Sequence, residues 1–195
     1  MRRILLPLLL FLFVVASCNN AGSTLDISSQ NVIHDDSLVL NTSNGTFTYR
    51  GGLYTGQSIS HNSSGSISRT IDYKFGKKDG CLTMFYPNGA ISYQANYLNG
   101  KLDGAIASWW KNGNKRSESF YREGKVHGVQ KQWYSSGEPF KVLQFNEGIE
   151  NGLQTAWRKN GTIYTNYEAK NGRIFGLKKA TLCYTLEDEE IQFSN

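Results

Sequence analysis

Residues 97–113 read Tyr97-Leu98-Asn99-Gly100-Lys101-Leu102-Asp103-Gly104-Ala105-Ile106-Ala107-Ser108-Trp109-Trp110-Lys111-Asn112-Gly113. Gly100 and Gly104 stand four apart, and the same spacing returns at Gly52/Gly56, Gly76/Gly80, Gly124/Gly128, Gly148/Gly152 and Gly172/Gly176, each pair 24 residues after the last. A second glycine series, Gly65, Gly89, Gly113, Gly137 and Gly161, steps by the same 24 residues between the pairs. A fixed period of this length marks a repeat architecture in which each unit is one supersecondary element.

Each unit carries two short runs separated by turn signals. Asn-Gly at 88–89, 99–100, 112–113, 151–152, 160–161 and 171–172 is the strongest short-range hairpin signal, because both residues tolerate positive φ. The loops are too short for a crossover helix, so neighbouring strands run antiparallel. These features predict an all-β protein: a single elongated antiparallel β-meander built from 24-residue hairpin repeats, with eleven or twelve strands, over residues 47–186. The stretch from Leu98 to Gly104 reads as one turn. The low apolar fraction (39%), 20 glycines and only 3 prolines suit a turn-rich β protein better than a helical bundle.

The rings fall in columns. Phe85, Trp109, Trp133 and Trp157 occupy one position of the repeat, and Tyr86, Trp110, Tyr134 and Arg158 the next; Tyr73, Tyr97, Tyr121 and Phe145 share a third. Period-two alternation sends adjacent residues to opposite faces, so both faces are expected to carry large rings. Stacked columns stiffen a sheet that lacks thick aliphatic layers. Trp109, Trp133 and Trp157 are assigned to that structural role; Tyr86, Trp110, Tyr134 and Arg158 are the candidate partner-binding residues, since Trp, Tyr and Arg dominate binding hot spots.

The core Tyr-x-Asn-Gly-Lys-x-x-Gly followed by Trp/Phe-Tyr/Trp-x-Asn-Gly, as in Tyr97 to Gly104 with Trp109 to Gly113, and again in Tyr121-Arg122-Glu123-Gly124-Lys125-Val126-His127-Gly128, resembles the bacterial variant of the MORN repeat. The resemblance covers about residues 50–178. It implies a repeat sheet, and it implies an antitoxin-like or immunity role as one partner class. The first unit departs from the pattern at His61-Asn62-Ser63-Ser64 and the sixth at Thr181-Leu182-Cys183, as capping units do.

The N-terminus is of a different kind. Met1-Arg2-Arg3 is basic, Ile4 to Val15 is apolar, and Ala16-Ser17 are small, the three zones of a secretory signal over residues 1–17. Val15-Ala16-Ser17-Cys18 resembles the bacterial lipobox, which implies a lipid on Cys18 and stable membrane anchoring through several acyl chains. Residues 18–46, rich in Ser, Asn, Thr and Asp, are then a lipid-anchored flexible tether. The expected location is the bacterial cell envelope, at the outer membrane, periplasmic side or surface, if the cell has two membranes. Glu187-Asp188-Glu189-Glu190 opens an acidic C-terminal cap or tail over 187–195.

Cys81 and Cys183 belong to units two and six. About eight strands at roughly 4.8 Å would hold them near 38 Å apart, far beyond disulfide reach, so both are expected as free thiols.

Catalytic motifs are missing from the sequence: no nucleophile elbow, phosphate loop or His-Glu-x-x-His occurs. His34 beside Asp35 and Asp36 lacks a second His or Cys at ligand spacing and reads as a solvated polar run, so no metal or cofactor is expected. His127 fills the turn slot taken by Asp79, Asp103 and Asn151. The net charge of +5, or +3 once Arg2 and Arg3 leave with the signal, lacks the concentrated basic stripe of a nucleic-acid binder. The expectation is a non-enzymatic, envelope-anchored lipoprotein whose repeat sheet binds an unknown protein partner, a toxin or an envelope protein. The alternatives are a structural or adhesive envelope protein that self-associates, and a glycan-binding surface lipoprotein.

Overall fold

The computed structural model describes residues 31–177. The signal segment, Cys18, residues 18–30 of the expected tether, Cys183 and the acidic run at 187–190 lie outside the described residues.

The meander is as expected. Strands β5 (Gly56–His61), β6 (Ile67–Lys74), β7 (Lys77–Phe85), β8 (Ile91–Leu98), β9 (Lys101–Trp109), β10 (Lys115–Arg122), β11 (Lys125–Trp133) and β12 (Pro139–Asn146) pair antiparallel, each with the next in sequence. After the short β13 (Ile149–Glu150), β14 (Gly152–Trp157), β15 (Ile163–Lys170) and β16 (Arg173–Leu177) continue the same sheet, which stays open rather than closing into a barrel.

The two glycine series do different work. At one edge, residue pairs such as Asn99-Gly100 (φ 50° and 84°) and Glu123-Gly124 (φ 50° and 83°) hold both central residues at positive φ, the signature of a two-residue I′ hairpin. At the other edge, the carbonyl of Tyr86 accepts from Gly89 N–H at 2.9 Å while Tyr86 N–H donates to Ala90 at 2.8 Å. Trp110, Tyr134 and Arg158 open identical turns. The second glycine of each four-residue pair is not in a turn. Lys101 and Leu102 already pair with Leu98 and Tyr97, and the register slips just beyond, where Gly104 takes φ 102° inside β9. The stretch expected as one turn is thus a tight hairpin followed by a β-bulge, and the strands run to eight or nine residues.

Repeats are stitched to each other at the I′ edge. Gly100 N–H donates to Lys78 O at 2.8 Å, Gly124 to Leu102 O at 2.7 Å and Gly148 to Val126 O at 2.8 Å. Asp79 accepts from the main-chain N–H of Asn99 at 2.9 Å and Asp103 from that of Glu123 at 3.0 Å. His127 holds the equivalent slot, with Nδ1 3.4 Å from Glu147 Oε1, in ion-pair range but outside hydrogen-bond geometry.

One face holds the core. Ile71, Leu82, Ala95 and Ile106 are successive cross-strand partners, and all four are buried. The other face runs through Thr70, Thr83, Gln94, Ala107, Glu118, Lys131 and Val142. This central row carries no rings; on this face they stand nearer the strand ends, at Phe85, Trp109 and Trp133, two residues from Thr83, Ala107 and Lys131. Period-two parity assigned faces correctly, but the second ring column sits at strand ends rather than mid-strand.

Four expectations at the N-terminal end are corrected. The flexible tether does not extend to residue 46: β1 (Val32–His34) pairs parallel with β5, and β2 (Val39–Asn41), β3 (Thr46–Tyr49) and β4 (Gly52–Leu53) form a small antiparallel sheet. That sheet brings Phe47 and Tyr49 onto Tyr54 and Tyr73, with ring centroids 5.1–6.2 Å apart, so its apolar residues cover the first repeat's exposed core. His34 is not free in solvent but stacks on His61 at 5.6 Å. The first turn is Arg50-Gly51, so Gly51, not Gly52, holds the positive φ and the 24-residue step slips by one. Cys81 is disulfide-bonded, against the expectation of a free thiol. The distance estimate constrains only two cysteines that both sit in paired strands; Cys18 and Cys183 are outside the described residues.

Candidate functional site

The candidate partner-binding residues Tyr86, Trp110, Tyr134 and Arg158 come together as one row. Each is the first residue of a five-residue turn on the same edge of the sheet, and all four are half-buried. Two strands per repeat set them roughly 10 Å apart. Cys18 lies outside the described residues.

The row is held by a ladder that residue types alone did not reveal. Tyr86 Oη donates to Trp109 O at 2.7 Å, Trp110 Nε1 to Trp133 O at 3.1 Å, and Tyr134 Oη to Trp157 O at 2.9 Å. Each side chain reaches 23 residues ahead and lies along the sheet axis, bridging two turns. The polar tips of these three side chains are committed within the chain, so the uncovered part of each ring and the neighbouring cations are what remains for a partner.

Sequence reasoning missed the residues that pack on these rings. The Arg116 guanidinium lies 4.7 Å from the Trp110 ring centroid, and Phe140 packs on Tyr134 with centroids 4.9 Å apart. Lys115 Nζ sits 6.0 Å from the Trp133 ring. The signal was available: positions 92, 116, 140 and 164 (Ser92, Arg116, Phe140 and Tyr164) also recur at 24 residues. The adjoining turns add Lys111 and Lys159, both exposed. Glu118 neutralises part of the charge, 2.9 Å from Lys115 and 3.2 Å from Lys131. Burial opposes ionisation of Glu118, but the two lysines outweigh it and hold its carboxyl below the ordinary carboxylate range.

Nothing in this row resembles a catalytic constellation. A cleft of about 650 Å³ lies at the N-terminal cap between Ile33, Tyr49, Arg50 and Tyr54, and its lining holds no carboxylate, imidazole or thiol. A smaller crevice of about 230 Å³ opens between Tyr86, Pro87, Asn88 and Lys111. No group of three or more His, Cys, Asp or Glu among the described residues is arranged to hold a metal ion.

Residues 78–99 match the family described as MORN repeat variant, which spans β7, β8 and the turn between them. The chain thus carries a MORN repeat, and the architecture is that of a repeat-based binding or structural module. No curated protein matches the sequence.

Proposed function

We propose that the protein is a non-catalytic, protein-binding lipoprotein of the bacterial cell envelope, anchored through Cys18 and presenting the Tyr86–Arg158 turn edge to its partner. The observation that carries this reading is the row itself: rings pinned along the sheet axis and bordered by the exposed cations Lys111 and Lys159. Rigid aromatic surface limits the entropy lost on docking, and a basic border favours an acidic partner surface. A secreted toxin is the partner class that the repeat resemblance implies.

The test is site-specific photo-crosslinking in envelopes. A crosslinker at Lys111 or Lys159 should capture a discrete protein, whereas one at Lys101, on the opposite turn edge, should not. Equal labelling from both edges would overturn the assignment of the face. Anchoring is tested separately: labelled palmitate should enter the wild type and not Cys18→Ala, and incorporation into both would remove the lipoprotein reading.

A further inference from the structure

We infer that the crevice beside Tyr86 is a binding subsite for a carboxylated sugar, independent of the protein-binding reading. The row is not uniform along its length. Trp110 is covered by Arg116 and Tyr134 by Phe140, the residues six positions further along the chain. The corresponding position for Tyr86 is Ser92, whose small side chain leaves that cover out. A second difference acts at the same place. Between the next two turns, Asn112 Nδ2 and Asn114 Nδ2 both donate to Ser135 O, at 2.7 and 2.9 Å, and staple the gap shut. Asn88, the counterpart of Asn112, shares its Oδ1 contact with the N–H two residues on, but makes no bond to the following turn among the described residues, and Ala90, the counterpart of Asn114, has no side-chain donor. Two substitutions, Ser92 where Arg116 and Phe140 stand and Ala90 where the stapling Asn114 stands, thus open this crevice.

The lining defines the ligand. Tyr86 presents a ring fixed by its bond to Trp109 O, a flat surface for the C–H face of a pyranose. Lys111 is exposed and makes no ion pair among the described residues, so it offers an uncompensated positive charge. The Asn88 carboxamide hydrogens are donors for hydroxyls, and no carboxylate lines the crevice. At about 230 Å³ it lies below the roughly 300 Å³ at which pockets take larger ligands, which suits one sugar unit better than a peptide segment.

The full chain is titrated with trimers of galacturonate, glucuronate and mannuronate, followed by amide NMR shifts at Asn88, Gly89 and Lys111. At least one trimer should saturate these shifts, and its methyl ester, with the charge removed, should bind at least tenfold more weakly. Ser92→Phe, which supplies the missing cover without touching Tyr86 or Lys111, should lose at least tenfold while the strand signal in circular dichroism is kept. Lys111→Ala should lose a similar factor. The inference is overturned if no trimer gives saturable shifts, if the ester or Ser92→Phe binds as well as the reference, or if a triglutamate peptide binds equally well.

Discussion

The phenolic oxygen of Tyr86 lies 2.7 Å from the carbonyl oxygen of Trp109, and this bond recurs once per repeat through Trp110 to Trp133 and Tyr134 to Trp157. Rings that composition alone would offer to a partner are therefore also the cross-ties of the sheet. Tyr134→Phe removes one tie while keeping the ring, and should cost about 1 kcal/mol in urea unfolding. Tyr86→Phe and Tyr134→Phe stand two repeats apart, so their costs should add. A double variant as stable as wild type would show that the ties contribute nothing.

The I′ turns carry unequal residues at their first position. Asn99 suits φ 50°, but Glu123 holds the same angle with a side chain that has no local reason to prefer it. Glu123→Asn should stabilise the protein by about 0.5–1 kcal/mol, raising the thermal midpoint by a few degrees. An unchanged or lower midpoint would mean that the Glu123 side chain makes up the difference elsewhere.

The contrast between these turns shows what was legible in the sequence. Turn glycines must sit at positive φ whatever surrounds them, so their spacing declared the repeat and the direction of every strand. The candidate row was legible for the same reason, since one column of the repeat had to form one edge. What lay hidden depends on contacts between units: Asp79 reaching the turn of Asn99, Arg116 covering Trp110, and the small sheet around Phe47 that closes the first repeat. Composition marked residues 31–46 as tether because few of them are apolar. Ile33 and Leu38 of that segment nevertheless pack, with Phe47, against the core of the first repeat.

Bulge and turn glycines should differ in sensitivity. A Cβ on Gly80, at φ 112°, would sit 2.9 Å from Asp72 Cβ, and the Asp72 carboxylate is fixed by accepting from Cys81 N–H at 2.9 Å. A Cβ on Gly89, at φ 82°, would meet nothing within 4 Å. Gly89→Ala should cost about 1–2 kcal/mol from backbone strain alone, and Gly80→Ala clearly more, by chemical denaturation. Equal losses would mean that the bulge relaxes around the added methyl.

The disulfide at Cys81 gives a direct chemical count. Thiol titration of the denatured full chain should rise after reduction, and Cys81→Ser should abolish that increase. Identical counts before and after reduction would restore the free-thiol expectation. In an oxidising compartment the bond should form without added oxidant.

Tyr73 and Tyr167 make alkaline stability the most informative pH range. Burial pushes both phenols up to about 12, helped by the Asp35 charge beside Tyr73 and by the 2.8 Å bond from Tyr167 to Glu150. In the unfolded chain they ionise near the ordinary value of about 10. Below that value both states are protonated and the stabilisation is complete; as pH rises towards 12, the unfolded chain releases its protons first and stability falls. Urea midpoints should therefore decline above about pH 10, and Tyr73→Phe should flatten that decline. Phenolate absorbance of the folded protein should lag behind that of the denatured chain over the same range, and coincident titration curves would show that neither phenol is shielded by the fold.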